Sequence, residues 1–196
     1  LRKDIFEEGQ YYHIYNRGNN KENIFIEEKN YNYFLEKLKK YIVPVADIYA
    51  YCLLKNHFHI VLRIKDKGDM PEKFKEKIHL PFSNLFNAYS KSINKVYDRT
   101  GSLFQEYLQR NRIGNEAYLK QLIVYVHLNP VKHKFTERFE TYLHSSYRSY
   151  LSDKFSNIDK ELILELFDGL ENFKFYHDER RIVYEGVVNE VNLNDE

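Results

Sequence analysis

The chain has 196 residues, 43% apolar and 30% charged, with 18 Tyr, 14 Phe and no Trp. That length suits one large domain or a domain with an appendage, and the composition supports a packed core and excludes a disordered chain. The net charge of +1 hides an asymmetry: residues 1–150 hold 25 Lys/Arg against 17 Asp/Glu (net +8), and residues 151–196 hold 5 against 12 (net −7).

A basic body of this kind suits a polyanion, with an acidic tail kept apart from it. No apolar run reaches the roughly 18 residues of a membrane span. The single Cys52 excludes an intramolecular disulfide and a Cys-rich zinc module, and it fits a reducing cytoplasm. The segment after Leu1-Arg2-Lys3-Asp4 has no apolar stretch, so no secretory signal is expected there.

Gln10 to Arg17 alternates and is aromatic-rich, which predicts a strand, and Gly18 to Lys21 a turn. Tyr31, Phe34, Leu35, Leu38 and Ile42 recur at helical spacing, so a helix spans 28–41 and Pro44 ends it. Ala46–Leu54 and His57–Ile64 read as strands joined by the short turn Lys55-Asn56. Lys65 to Lys77 reads as a mobile surface loop. A second helix follows over 82–96 and a further strand over 107–113. A third helix has Asn115 as its cap and Pro130 as its stop. One short helix over 159–173 and a frayed end at 189–196 complete the chain. This order predicts an α+β ferredoxin-like sandwich, an antiparallel sheet with helices on one face, plus a C-terminal helical extension. The division expected is a body over 1–150 and an acidic helical extension over 151–196.

Two local features carry chemistry. His57 and His59 stand at i and i+2 of a strand, so both imidazoles project from one face while Phe58 turns into the core. Paired imidazoles make a bidentate metal platform, although an isolated His-x-His is more often simply packed. The further residues of metallo-β-lactamase, two-motif phosphodiesterase and zincin patterns are missing. On the third helix, Tyr125 and Asn129 are one turn apart on one face. A phenol there can attack a phosphate if a cation withdraws charge, and Asn129 can add an amide oxygen as a third ligand. Gln121, one turn earlier, offers a similar polar group. His127 lies about 200° round the helix from Tyr125 and is a poor base for it. Taken alone, Tyr125 is one tyrosine among 18, and packing is the better explanation of it.

Five ordered segments lift both features above that bland explanation. They are His13-Ile14-Tyr15-Asn16-Arg17-Gly18-Asn19-Asn20, Tyr51 to His59, Gly101-Ser102-Leu103-Phe104-Gln105, Tyr125 with His127-Leu128-Asn129-Pro130-Val131, and Ser145-Ser146-Tyr147-Arg148. Across residues 8–150 the chain resembles the single-tyrosine HUH transposases, most of all the REP-associated branch. The resemblance implies a nuclease of single-stranded DNA beside a hairpin, with Tyr125 as nucleophile and a 5′-phosphotyrosine intermediate. It implies His57 and His59 as ligands of Mg²⁺ or Mn²⁺, with Asn129 where insertion-sequence members usually carry Gln. His144 stands where relatives often carry Trp. Both a dimer donating the tyrosine in trans and a monomer using it in cis occur among relatives.

Residue types suited to DNA phosphates are Arg17, Lys91, Lys95, Arg99, Arg110, Arg112, Arg148 and the hydroxyls of Ser145 and Ser146. Lys91 and Lys95 are i, i+4 on one helix, and Arg110 and Arg112 share a strand face. The rival functions are a domesticated hairpin-binding protein that does not cut, and a replication-initiator or relaxase-like nickase.

Overall fold

The computed structural model describes residues 5–154 and 156–186. Four strands, β1 (Tyr11–Arg17), β2 (Ala46–Leu54), β3 (His57–Ile64) and β4 (Gln109–Ile113), form one antiparallel sheet in the order β2-β3-β1-β4. Helices α1 (Glu28–Tyr41) and α2 (His79–Val96) are the two crossovers, giving the expected βαββαβ sandwich. Lys55 and Asn56 make the two-residue turn between Leu54 and His57. The expected frayed end at 189–196 lies outside the described residues.

α1 and α2 share one face of the sheet. The fully buried Phe58 ring meets Phe34 of α1 at 5.4 Å and Phe86 of α2 at 5.5 Å between centroids. Truncating such a ring to Ala costs about 3–5 kcal/mol. The opposite face is also covered, by α3 (Glu116–Lys132) with α4 (Tyr147–Tyr150), α5 (Lys160–Leu166) and α6 (Leu170–Gly186) behind it. With both faces covered, β3 reads as a nearly continuous apolar run rather than a clean alternation.

α3 begins as expected, the Asn115 side chain accepting the Tyr118 N–H at 2.8 Å. It does not stop at Pro130. The missing N–H falls in the last turn, and the helix runs on to Lys132. The actual stop is a Schellman motif: Lys134 is left-handed (φ 58°), and the N–H groups of Phe135 and Lys134 bond the carbonyls of Pro130 and Val131 at 2.8 and 2.9 Å. The same device corrects the single helix expected over 159–173. Asp168 (φ 59°) and Gly169 (φ 106°) close α5 by bonding the Glu165 and Leu164 carbonyls, and α6 starts at Leu170. α2 begins earlier than expected, at His79, with Pro81 in its first turn where an N–H is not needed. The polar stretch after β3 holds two 3₁₀ turns, Lys67–Asp69 and Glu72–Phe74, and buries Met70 between them.

Candidate active site

Alternation along β3 sends His57 and His59 to the face under α3 and Phe58 to the other. Pairing with β1 sets Tyr15 opposite His59 and Arg17 opposite His57, so His13, Tyr15 and Arg17 line the same face. α3 crosses above them. Its Tyr125 ring stands edge-on to His59, with centroids 5.8 Å apart, and edge-on to His13 at 6.4 Å. A single chain therefore brings Tyr125 beside His59.

Hydrogen bonds orient each group. The Asn56 amide oxygen lies 2.7 Å from His57 Nδ1 and accepts its proton, which makes Nε2 the lone-pair nitrogen. His59 Nδ1 lies 2.9 Å from His13 Nε2, and His59 Nε2 is buried with no hydrogen-bond partner. The Asn129 side chain donates to the Tyr125 carbonyl at 2.9 Å, and its Oδ1 is likewise buried without a partner. The Lys132 ammonium, seven residues beyond Tyr125 on α3, donates to the Tyr125 Oη at 3.2 Å and lies 4.7 Å from the ring centre. Tyr125 itself is only 4% exposed.

Electrostatics keep both imidazoles neutral. Burial pushes the His57 pKa down to about 3, and the nearby His133, Arg17 and Lys132 push the same way. His59 is driven far below the ordinary histidine range, by burial first and then by His13, His57 and other neighbours. Neutral imidazole is the metal-binding form. Among the described residues no three His, Cys, Asp or Glu side chains gather into a metal cage. A divalent cation here would rest on His57, His59 and the neutral Asn129 amide, with water or substrate oxygens completing its shell. The two orphaned buried acceptors, His59 Nε2 and Asn129 Oδ1, are donor atoms that such an ion satisfies, so the residues fit it.

No family model matches the chain, and no curated protein sequence matches it. Solved structures do match. A REP-associated tyrosine transposase bound to a REP hairpin superposes with a TM-score of 0.61 over 78% of this chain and 86% of that one. The likeness is one of fold. The two sequences are 12% identical.

The residues read as DNA contacts do not gather in one place. Arg17 lies beside His57, with its Nε buried and unpartnered. Gly18 follows it, and its N–H donates to the Asn56 carbonyl at 2.7 Å. A Cβ there would sit 2.0 Å from the Glu22 carbonyl oxygen, so only glycine permits this close junction of β1 with the hairpin turn. Arg110 and Arg112 do share a strand face, but it is the α1/α2 face, remote from the imidazoles. Arg110 lies over the Phe6 ring and Arg112 bonds Glu7 and Gln10. Lys91 and Lys95 are exposed on α2, Arg99 is paired with Glu22, Arg148 is exposed on α4, and Gln121 is exposed on α3.

Ser145 and Ser146 correct an expectation outright: both are buried, at 3% and 0% exposure. Their segment adds to the β2 edge, with the Ser146 N–H on the Tyr51 carbonyl and the Leu53 N–H on the His144 carbonyl, both at 2.9 Å. The Ser146 hydroxyl joins a chain of neutral groups reaching the C-terminal helix. His177 Nδ1 donates to the Phe173 carbonyl at 2.7 Å, so its Nε2 accepts from His127 Nδ1 at 2.8 Å. His127 Nε2 then accepts from Ser146 Oγ at 2.8 Å, and that oxygen accepts the Tyr51 N–H at 2.8 Å. Phe167, Phe173 and His177 are fully buried around this chain, so α5 and α6 pack into the core beneath α3. His144, in turn, stacks flat on Tyr31 with centroids 3.5 Å apart and faces Glu28 at 3.2 Å.

Sequence reasoning passed over His13, Tyr15, Asn56 and Lys132 as site residues. The signals exist: His13, Tyr15 and Arg17 alternate along one strand, and Lys132 stands two helical turns beyond Tyr125.

Proposed function

We propose that this chain is a metal-dependent single-stranded DNA endonuclease and strand transferase of the tyrosine transposase type, acting beside a DNA hairpin. The observation that carries this is the Tyr125 ring set against His59, whose buried Nε2 is unsatisfied; the buried Oδ1 of Asn129, one helical turn beyond Tyr125, is unsatisfied too. Arg17 and Lys132 supply fixed positive charge at the same place, suited to a phosphodiester. The fold neighbour is bound to a hairpin, which supports the same class of partner here.

In the reaction, the Tyr125 oxygen forms a bond to phosphorus as the P–O3′ bond breaks. The phenolic proton goes to water, the released strand takes a proton as its 3′-hydroxyl, and the 5′ side stays linked to the tyrosine. A 3′-hydroxyl of another strand then reverses the step, restoring a phosphodiester and the free phenol without ATP. A bound Mg²⁺ or Mn²⁺ would polarise the phosphoryl oxygens and stabilise the departing alkoxide. Asn56 holds His57 in one tautomer, Asn129 is pinned by its own donor to the Tyr125 carbonyl, and Lys132 holds the phenol oxygen until a phosphate competes for the ammonium. Tyr125 and His59 come from one chain, which favours attack in cis.

Incubation with hairpin oligonucleotides bearing single-stranded flanks and Mn²⁺ tests this. A covalent protein–DNA band is expected, lost in Tyr125→Phe and in His59→Ala. A band that persists in Tyr125→Phe removes Tyr125 as the nucleophile. A second reading, hairpin binding without cleavage, draws on the near-complete burial of Tyr125 and its engagement by Lys132. Tight hairpin binding with no cleavage in Mg²⁺, Mn²⁺ or Zn²⁺ favours it.

A further inference from the structure

We infer that His13 is a positioning residue, which accepts the Nδ1 proton of His59 and so fixes the tautomer and aim of His59 Nε2. This rests on the metal-dependent nuclease proposed above and adds to it a residue outside the ligand set. His13 Nε2 and the neutral His59 imidazole's Nδ1 lie 2.9 Å apart, close enough to share one proton. It has two placements. If it sat on His13, His59 would carry its own proton on Nε2, and a buried N–H would be left without an acceptor. If it sits on His59 Nδ1, the buried Nε2 is a bare lone pair, which is what a cation takes. An unpaired buried donor is costly, so the second placement is the stable one in the presence of metal.

The surroundings leave the pair little freedom. His13 is 4% exposed and His59 2%. Their rings are nearly parallel, 17° apart, and Tyr15 lies against both, at 4.8 Å from His13 and 5.7 Å from His59. His59 therefore cannot rotate without displacing two neighbouring rings. The partner of Nδ1 in such a packed stack decides whether Nε2 carries a proton or a lone pair. His57 is oriented the same way by a different group, the Asn56 amide oxygen. The site thus has an acceptor behind each imidazole, one from the hairpin turn and one from β1.

Three proteins test this: the wild type, His13→Leu, and His13→Gln, whose side-chain oxygen reaches about as far as the imidazole Nε2. Mn²⁺ affinity is measured by calorimetry in the absence of DNA. His13→Leu should bind Mn²⁺ about 10–100-fold more weakly, and His13→Gln should recover most of the loss. Saturating Mn²⁺ should restore covalent adduct formation in His13→Leu, because no reacting group has been removed. Equal Mn²⁺ affinity in wild type and His13→Leu overturns the role of His13 alone. Wild-type protein that takes up no Mn²⁺ overturns the nuclease proposal and this one together. Should His13→Leu not fold, nitrogen-15 NMR of the histidines in the wild-type protein decides. His59 protonated at Nδ1 supports the inference, and His59 protonated at Nε2 overturns it.

Discussion

Replacing His177 with glutamine removes one titrating group from the buried chain that links α6, α3 and β2. In the folded protein, burial pulls the His177 pKa down to about 4, the Phe173 carbonyl only partly opposing it. In the unfolded chain it returns to about 6.5. Between those values the unfolded state binds more protons, so stability falls as pH drops through this window. Integrating the two titrations gives about 2–3 kcal/mol lost between pH 7.5 and pH 4.5 from this residue. His57, His59 and His127 are depressed in the same direction, so the wild type should lose more than that in total. The His177→Gln variant isolates one share. At pH 7.5 it should be less stable by about 1–3 kcal/mol, since the flexible glutamine amide does not present its donor to Phe173 and its acceptor to His127 in the fixed geometry of the ring. At pH 4.5 the gap should shrink by about 2–3 kcal/mol or reverse. Urea denaturation of both proteins at several pH values measures it. Two curves that stay parallel from pH 7.5 to 4.5 would refute the claim that His177 is held neutral.

Other outcomes follow from the same structure. Ser146→Ala strips partners from His127 Nε2 and the Tyr51 N–H together, and should lower stability by about 1–3 kcal/mol in thermal or urea melts. Gly169→Ala places a Cβ at φ 106° with no atom nearby to clash, so it should cost about 1–3 kcal/mol from backbone strain alone. Lys132→Met should slow covalent adduct formation about 10-fold without weakening Mn²⁺ binding, since the ammonium holds the phenol oxygen and its charge opposes a cation on the imidazoles. Arg17→Ala should weaken hairpin binding and reduce its salt slope by about 1, whereas Arg112→Ala, on the far face of the sheet and paired with Glu7, should leave that slope unchanged.

The fold was legible because its signals are local. Alternating apolar residues set the strands, the Lys55-Asn56 pair set the hairpin, and the helical spacing of Tyr31, Phe34 and Leu38 set α1. Helix ends were less legible. Their stops depend on left-handed residues such as Lys134 and Asp168, and neither residue type advertises that conformation as glycine would. Pro130 looked like a terminator, yet a proline in the last turn removes only one backbone bond.

The candidate site divides the same way. Strand alternation alone put His57 and His59 on one face, and helical periodicity put Tyr125 and Asn129 on another. That these two faces meet is a property of the packed molecule, because it depends on α3 crossing the sheet side opposite α1 and α2. Charge and hydroxyl content made Ser145, Ser146, Arg110 and Arg112 look like phosphate contacts, but composition carries no information about which side of a sheet a residue faces or whether its hydroxyl is already bonded. Only tertiary contacts placed the serines under α3, turned the two arginines away from the imidazoles, and set His13 behind His59 from a strand 46 residues earlier in the chain.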